Sequence, residues 1–176
     1  MKIKDLVFAA IFTSLLCIAA PICIPVGPVP LSLTTFVVFV SGAVLGAKKA
    51  SLSILVYILL GIAGLPVFSG FSGGLQRIIS PLGGFIISYI PCVLTVAYFT
   101  KDAIKIRGYI FAMSCAALVC YLIGTLWFAM FTNLEFFDAV LICVLPFVIA
   151  DILKIISAAV ISSKLKPFLK GLNKEL

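Results

Sequence analysis

Two charged residues, Asp151 and Lys154, stand three apart inside the apolar run LICVLPFVIADILKIISAAVISS at 141–163. On a helix, positions three apart share a face, with about 5–6 Å between Cβ atoms. A charged side chain at bilayer depth costs roughly 2.5–3.5 kcal/mol on insertion scales, so such residues turn toward a bundle interior or a wet cavity and mark functional sites. Ionised Asp151 only accepts hydrogen bonds, whereas Lys154 supplies three donors and a positive charge. The pair can bridge along its own helix and so neutralise itself for burial. Alternatively, it can divide between the two ends of a small guest, an N–H-bearing group at Asp151 and a carboxylate at Lys154. Phe, Tyr and Trp side chains would then hold the apolar middle, the usual composition of a small-ligand pocket.

A second stretch, GLPVFSGFSGGLQRIISPLGG at 64–84, reads as the wall or lid of such a pocket, or as a surface hairpin between spans. Gly70, Gly73 and Gly74 oppose a regular helix and permit close backbone approach. Irregular apolar backbone at membrane depth is tolerated only where protein buries it or where it lines a cavity. Phe68 and Phe71 supply apolar contact area, and Arg77 is a lone basic residue on this side of the chain. A phosphate-binding G-x-x-x-x-G-K-[ST] loop is absent here and elsewhere, so the chain cannot itself use ATP through that motif.

These residues need a frame, and composition says which. Hydrophobic residues make up 64% of the 176 and charged residues 11%, against about 25% charged in a soluble domain. The chain therefore reads as an all-α integral membrane protein, a single domain over 1–176. A span needs about 20 apolar residues, and six candidates follow at about 6–24, 31–47, 51–65, 78–100, 109–131 and 141–163. The second is short enough to be oblique or re-entrant. IPVGPVP at 24–30 breaks the first from the second, because its prolines cannot continue a helix. Pro91 predicts a kink, and Pro146 suits a first helical turn.

The net charge of +7 comes from residues that flank the apolar runs, which points to membrane topology rather than to nucleic acid. With the N-terminus in the cytoplasm and six crossings, the inside holds Lys2, Lys4, Lys48, Lys49, Lys101, Lys105, Arg107, Lys164, Lys166, Lys170 and Lys174. That is 11 of the 13 basic residues, all but Arg77 and Lys154, and the positive-inside rule then sets both ends inside. MKIKD leads into a run too long for a signal core and without an A-x-A site, so no cleaved signal is expected.

Small residues pair four apart in the first segment, Ala9 with Thr13 and Ala10 with Ser14. Such a stripe lets helix backbones approach closely, either inside this protein or against another membrane protein. None of the six cysteines forms C-x-x-C, so they read as packing. There is no His, and Asp151 is the one acid within a predicted span, which leaves little for a membrane enzyme to work with. A stand-alone proton-coupled carrier with Asp151 as relay is a further reading, but no inverted repeat of the kind such carriers show is evident.

PVGPVPLSLTTF (25–36), GLPVFSGFSGGL (64–75), SPLGGFIISY (80–89), YLIGTLWF (121–128) and LPFVIADILK (145–154), in this order, resemble the BioY family. Members of that family are biotin-binding S components of energy-coupling factor (ECF) vitamin transporters. The resemblance implies a six-helix fold with a vitamin pocket near the outer face. It also implies partnership with a transmembrane coupling subunit and a pair of ATPase subunits. The family's Asp-x-x-Lys falls on Asp151 and Lys154, and its docking helix on Ala9 and Ala10. Pro-Thr-Gly-Gly is Pro81-Leu82-Gly83-Gly84 here, and a common Gln is Thr34. The substrate-binding set expected on this basis is Asp151, Lys154, Arg77, Phe68, Gly73, Gly74, Thr34, Tyr89, Tyr121 and Trp127. The docking set is Ala9, Ala10, Thr13 and Ser14. No cofactor or metal is expected: biotin enters as the transported ligand, and another vitamin is the runner-up. Membrane lipid surrounds the fold.

Overall fold

The computed structural model describes residues 3–172. Lys2 and Lys174 of the basic pattern lie outside them, and of Lys170 only the backbone is described. The chain forms α1 (Ile3–Ala19), a hairpin of β1 (Cys23–Val26) and β2 (Val29–Ser32), α2 (Thr34–Leu45), α3 (Ala47–Ile62) and the single turn α4 (Leu75–Ile78). Then follow α5 (Gly83–Thr100), α6 (Ile106–Thr132), α7 (Phe136–Cys143), a 3-10 turn at Leu145–Phe147, and α8 (Val148–Leu172).

α2 sits in the middle. Seven consecutive residues, Val37 to Ala43, are buried, as expected of a helix apolar on every side. It packs against α1, α3, α5, α6 and α8, so the short predicted second segment is the hub of the bundle. α1 is bound to α3 by polar contacts between buried small residues. Thr13 Oγ1 donates to the Ser53 carbonyl at 3.1 Å, and Ser53 Oγ donates to the Ala9 carbonyl at 2.9 Å. α5 and α6 form the most extensive helix pair. They approach closely at Gly84, where a Cβ would fall 2.2 Å from Trp127 Cβ.

Among the described residues, three stretches are long and apolar enough to cross a membrane: Gly83–Thr100, Ile106–Thr132 and Phe136–Leu169, the last spanning α7 and most of α8. α1, α2 and α3 have 17, 12 and 16 residues. Basic residues gather at one end. Lys49, at the start of α3, bridges to Asp5 of α1, while Lys166 of α8 donates to the Thr100 and Lys101 carbonyls at the end of α5.

One local feature differs from the sequence-based expectation, and at another the structure takes the alternative that Pro146 offered. The proline-rich breaker is an antiparallel ribbon in register Cys23↔Ser32 through Val26↔Val29. Prolines argue against strands because they lack a donor, but Pro25 faces Pro30, so the two missing N–H groups fall on one rung. Gly27, at φ +68°, gives the positive φ that a two-residue turn needs. The last predicted segment is not one helix from 141. It breaks at the 3-10 turn around Pro146, and α8 begins at Val148.

Candidate ligand-binding site

That break decides the setting of the charged pair. Asp151 lies in the first turn of α8, where the positive end of the helix dipole favours a carboxylate. Lys154 follows one turn later, and its Nζ lies 2.8 Å from Asp151 Oδ1, each side chain 11% exposed. Two other helices complete the group. The Tyr121 hydroxyl of α6 donates to Asp151 Oδ2. Lys154 Nζ also donates to Thr35 Oγ1 of α2, at 3.3 Å. The ion pair is therefore a four-residue hydrogen-bonded cluster held by three helices.

The cluster opens into a cavity. α5 contributes Phe85, Ile86 and Tyr89 to its lining, α3 contributes Tyr57, and β2 contributes Val29 to Ser32. Cys120 and Cys143 also face it, as does Phe147 of the 3-10 turn. The wall after α3 carries Phe68, Ser69 and Arg77. Phe68 is 2% exposed. Its ring meets Tyr57 edge-to-face at 5.5 Å and covers Gly61, where a Cβ would fall 2.1 Å from the ring. Phe68 and Ser72 exchange backbone hydrogen bonds across a small loop. Arg77 clasps that loop through Nε to Ser72 Oγ at 2.7 Å and Nη2 to the Ser69 carbonyl at 3.3 Å.

Six of the ten residues expected from the sequence to bind substrate line this cavity: Asp151, Lys154, Arg77, Phe68, Tyr89 and Tyr121. The other four lie outside its lining. Gly73 packs on the Leu65 carbonyl, where a Cβ would fall 2.3 Å from the oxygen. Gly74, at φ +93°, donates its N–H to the Gly61 carbonyl at 2.7 Å. These glycines shape the wall from behind. Thr34 is buried against Ser32, with the two hydroxyl oxygens 2.7 Å apart. Trp127 donates Nε1–H to the Ser80 carbonyl at 2.9 Å and stacks on Phe131. Phe71 points outward, 70% exposed.

The small-residue stripe of α1 divides as well. Ala9 and Thr13 are buried against α3, whereas Ala10 and Ser14 face outward, Ser14 Oγ bonding back to the Ala10 carbonyl at 3.0 Å. Sequence reasoning missed Thr35, Ser69 and Tyr57. For Thr35 the signal was the Thr-Thr doublet, of which only one residue can take a given helical phase.

Fold and site together define a class: a helical membrane protein enclosing a mostly apolar, acid–base-ended cavity for a small molecule. The chain belongs to the BioY family, whose model matches residues 1–171. Its named relatives are transporters rather than enzymes. It is 40% identical over 166 residues to the probable biotin transporter BioY of Pyrococcus horikoshii, covering 94% of this chain and 98% of that protein. It is 34% identical over 163 residues to the biotin transporter BioY of Thermotoga maritima, covering 93% and 96%. Among solved structures, the S-component for biotin from an ECF-type ABC transporter superposes with a TM-score of 0.87 at 26% identity. That match covers 94% of this chain and 92% of the other.

Proposed function

We propose that this chain is a biotin-binding S component of an ECF-type vitamin transporter, a multi-pass protein of the cell membrane. It crosses six times with both termini in the cytoplasm, and it works with a transmembrane coupling subunit and two ATPase subunits. The gathering of Lys49, Lys101 and Lys166 at one end supports this orientation. The absence of a phosphate loop from the chain is consistent with ATP being handled by partners.

The observation that carries the reading is the Asp151–Lys154 pair with Tyr121 and Thr35, opening into an otherwise mostly apolar cavity. A buried ion pair is a poor device for stability, because its desolvation offsets most of its Coulomb attraction. It suits a guest with polar ends. Biotin has a ureido ring with two N–H groups, an apolar thioether ring and a carboxylate tail. Asp151 accepts from the ureido, Lys154 donates to it, aromatic side chains cover the ring system, and Arg77 meets the carboxylate.

Isothermal titration of biotin into detergent-purified, biotin-free protein tests this. The expected result is one site with Kd of about 1 µM or tighter. No heat, with the protein shown to be folded, overturns the reading. Asp151→Asn is expected to weaken biotin but not an analogue lacking the ureido ring; equal loss of both contradicts the assignment.

A further inference from the structure

The polar cluster has an order, and the order is more selective than its charge. Asp151 Oδ1, Lys154 Nζ and Thr35 Oγ1 form a row, with contacts of 2.8 and 3.3 Å along it. In hydrogen-bond terms the row reads acceptor, donor, acceptor. Each member keeps capacity for a guest. Lys154 has three N–H groups, and two meet Asp151 and Thr35. A carboxylate offers about four lone-pair sites, and the two oxygens of Asp151 take one protein donor each here, from Lys154 and Tyr121. The Thr35 hydroxyl accepts from Lys154 and retains a second lone pair. The hydroxyls of Ser32 and Thr34 are bonded to one another, and that of Tyr121 is committed to Asp151 Oδ2.

The geometry points to Thr35 as a specificity-determining residue that reads the second N–H of a cyclic urea. The inference rests on the proposed function. One edge of a cyclic urea presents N–H, C=O, N–H, which is donor, acceptor, donor and complements the row at all three places. Asp151 takes one N–H, Lys154 donates to the carbonyl oxygen, and Thr35 takes the other N–H. A simple amide fills two places and leaves Thr35 unmatched. A carboxylate matches Lys154 alone and meets Asp151 with like charge. A protonated cyclic guanidinium sets a donor against Lys154, where donors and positive charges face each other. The thioether ring plays no part in this pattern, so a cyclic urea without sulfur satisfies it equally.

The test compares wild type, Thr35→Val, which keeps the shape and drops the hydroxyl, and Thr35→Ser, which keeps the hydroxyl. Each is titrated with biotin, dethiobiotin, 2-iminobiotin and the two ring-N-methylated biotins, with ligand-free melting measured alongside. The Val variant is expected to bind biotin and dethiobiotin about tenfold more weakly, the loss of one buried hydrogen bond, while the Ser variant stays within about twofold. For one methylated isomer the wild-type-to-Val ratio falls toward one, and for the other it stays near tenfold. Wild type discriminates strongly against 2-iminobiotin at neutral pH.

Wild-type affinity for biotin in the Val variant overturns the role of Thr35 and leaves the proposed function standing. So does a loss that the Ser variant shares, or one equal for both methylated isomers, because that marks a purely structural threonine. If wild type itself ignores biotin, the proposed function falls and this inference with it.

Discussion

The cavity has two kinds of polar anchor, built from different material. Asp151, Lys154, Tyr121 and Thr35 stand on α8, α6 and α2, whose packing fixes their backbones. Arg77 stands on the single turn α4 and is bonded to a loop, through Ser69 and Ser72. Side chains on packed helices hold donor and acceptor positions closely, which suits reading a rigid group. Side chains on loops give way more easily, which would suit the flexible tail of the proposed ligand. The same contrast holds for the close contacts nearby. Gly84 meets the Cβ of Trp127, a rigid point on α6, whereas Gly61 meets the end of the Phe68 ring on the loop.

Four substitutions break or sharpen this comparison. Lys154→Met has the largest expected effect. It leaves Asp151 buried without its ion-pair partner, and loss of such a partner costs about 3 kcal/mol or more. Stability falls by that amount, and biotin affinity in calorimetry is expected to fall by about 10–100-fold, the loss of a charged hydrogen bond to the ureido oxygen. Retention of binding within a few-fold removes the helix-built anchor from the ligand site.

Gly84→Ala comes next. Its Cβ would fall 2.2 Å from Trp127 Cβ, and neither α5 nor α6 can step aside cheaply. Overpacking of this kind costs about 1–3 kcal/mol. A lowered unfolding temperature in detergent is expected, with biotin affinity of the folded fraction little changed.

Arg77→Gln removes a charged donor from the loop-built anchor, expected at about tenfold in biotin affinity. The uncharged amide of biotin should bind wild type and variant alike. An equal loss for both ligands shows that Arg77 acts by holding the loop instead of meeting the carboxylate.

Gly61→Ala has the smallest expected effect. The added methyl displaces the Phe68 ring, and the loop absorbs the shift. Biotin affinity is expected to drop about threefold, with a stability loss of about 1 kcal/mol, the low end of what overpacking costs. A destabilisation matching that of Gly84→Ala shows the loop to be as unyielding as the helices, and the comparison fails.

The sequence by itself determined the membrane character, the kinship with BioY and the acid–base pair on one helical face. All three follow from composition, ordered motifs or a spacing of three along a single chain segment. It did not determine which residues join that pair. Lys154 meets Thr35 across 119 positions, and a choice between Thr34 and Thr35 depends on the rotation of α2 about its own axis. Only packing against five helices sets that rotation. The same holds for α1, where one stripe of small residues supplies both an inner pair, Ala9 and Thr13, and an outer pair, Ala10 and Ser14. Small side chains favour close approach from any direction, so their spacing names a face without naming its neighbour. The Pro25–Pro30 rung was hidden for a related reason. Proline announces that a helix stops, and the tertiary structure decides what the chain does next.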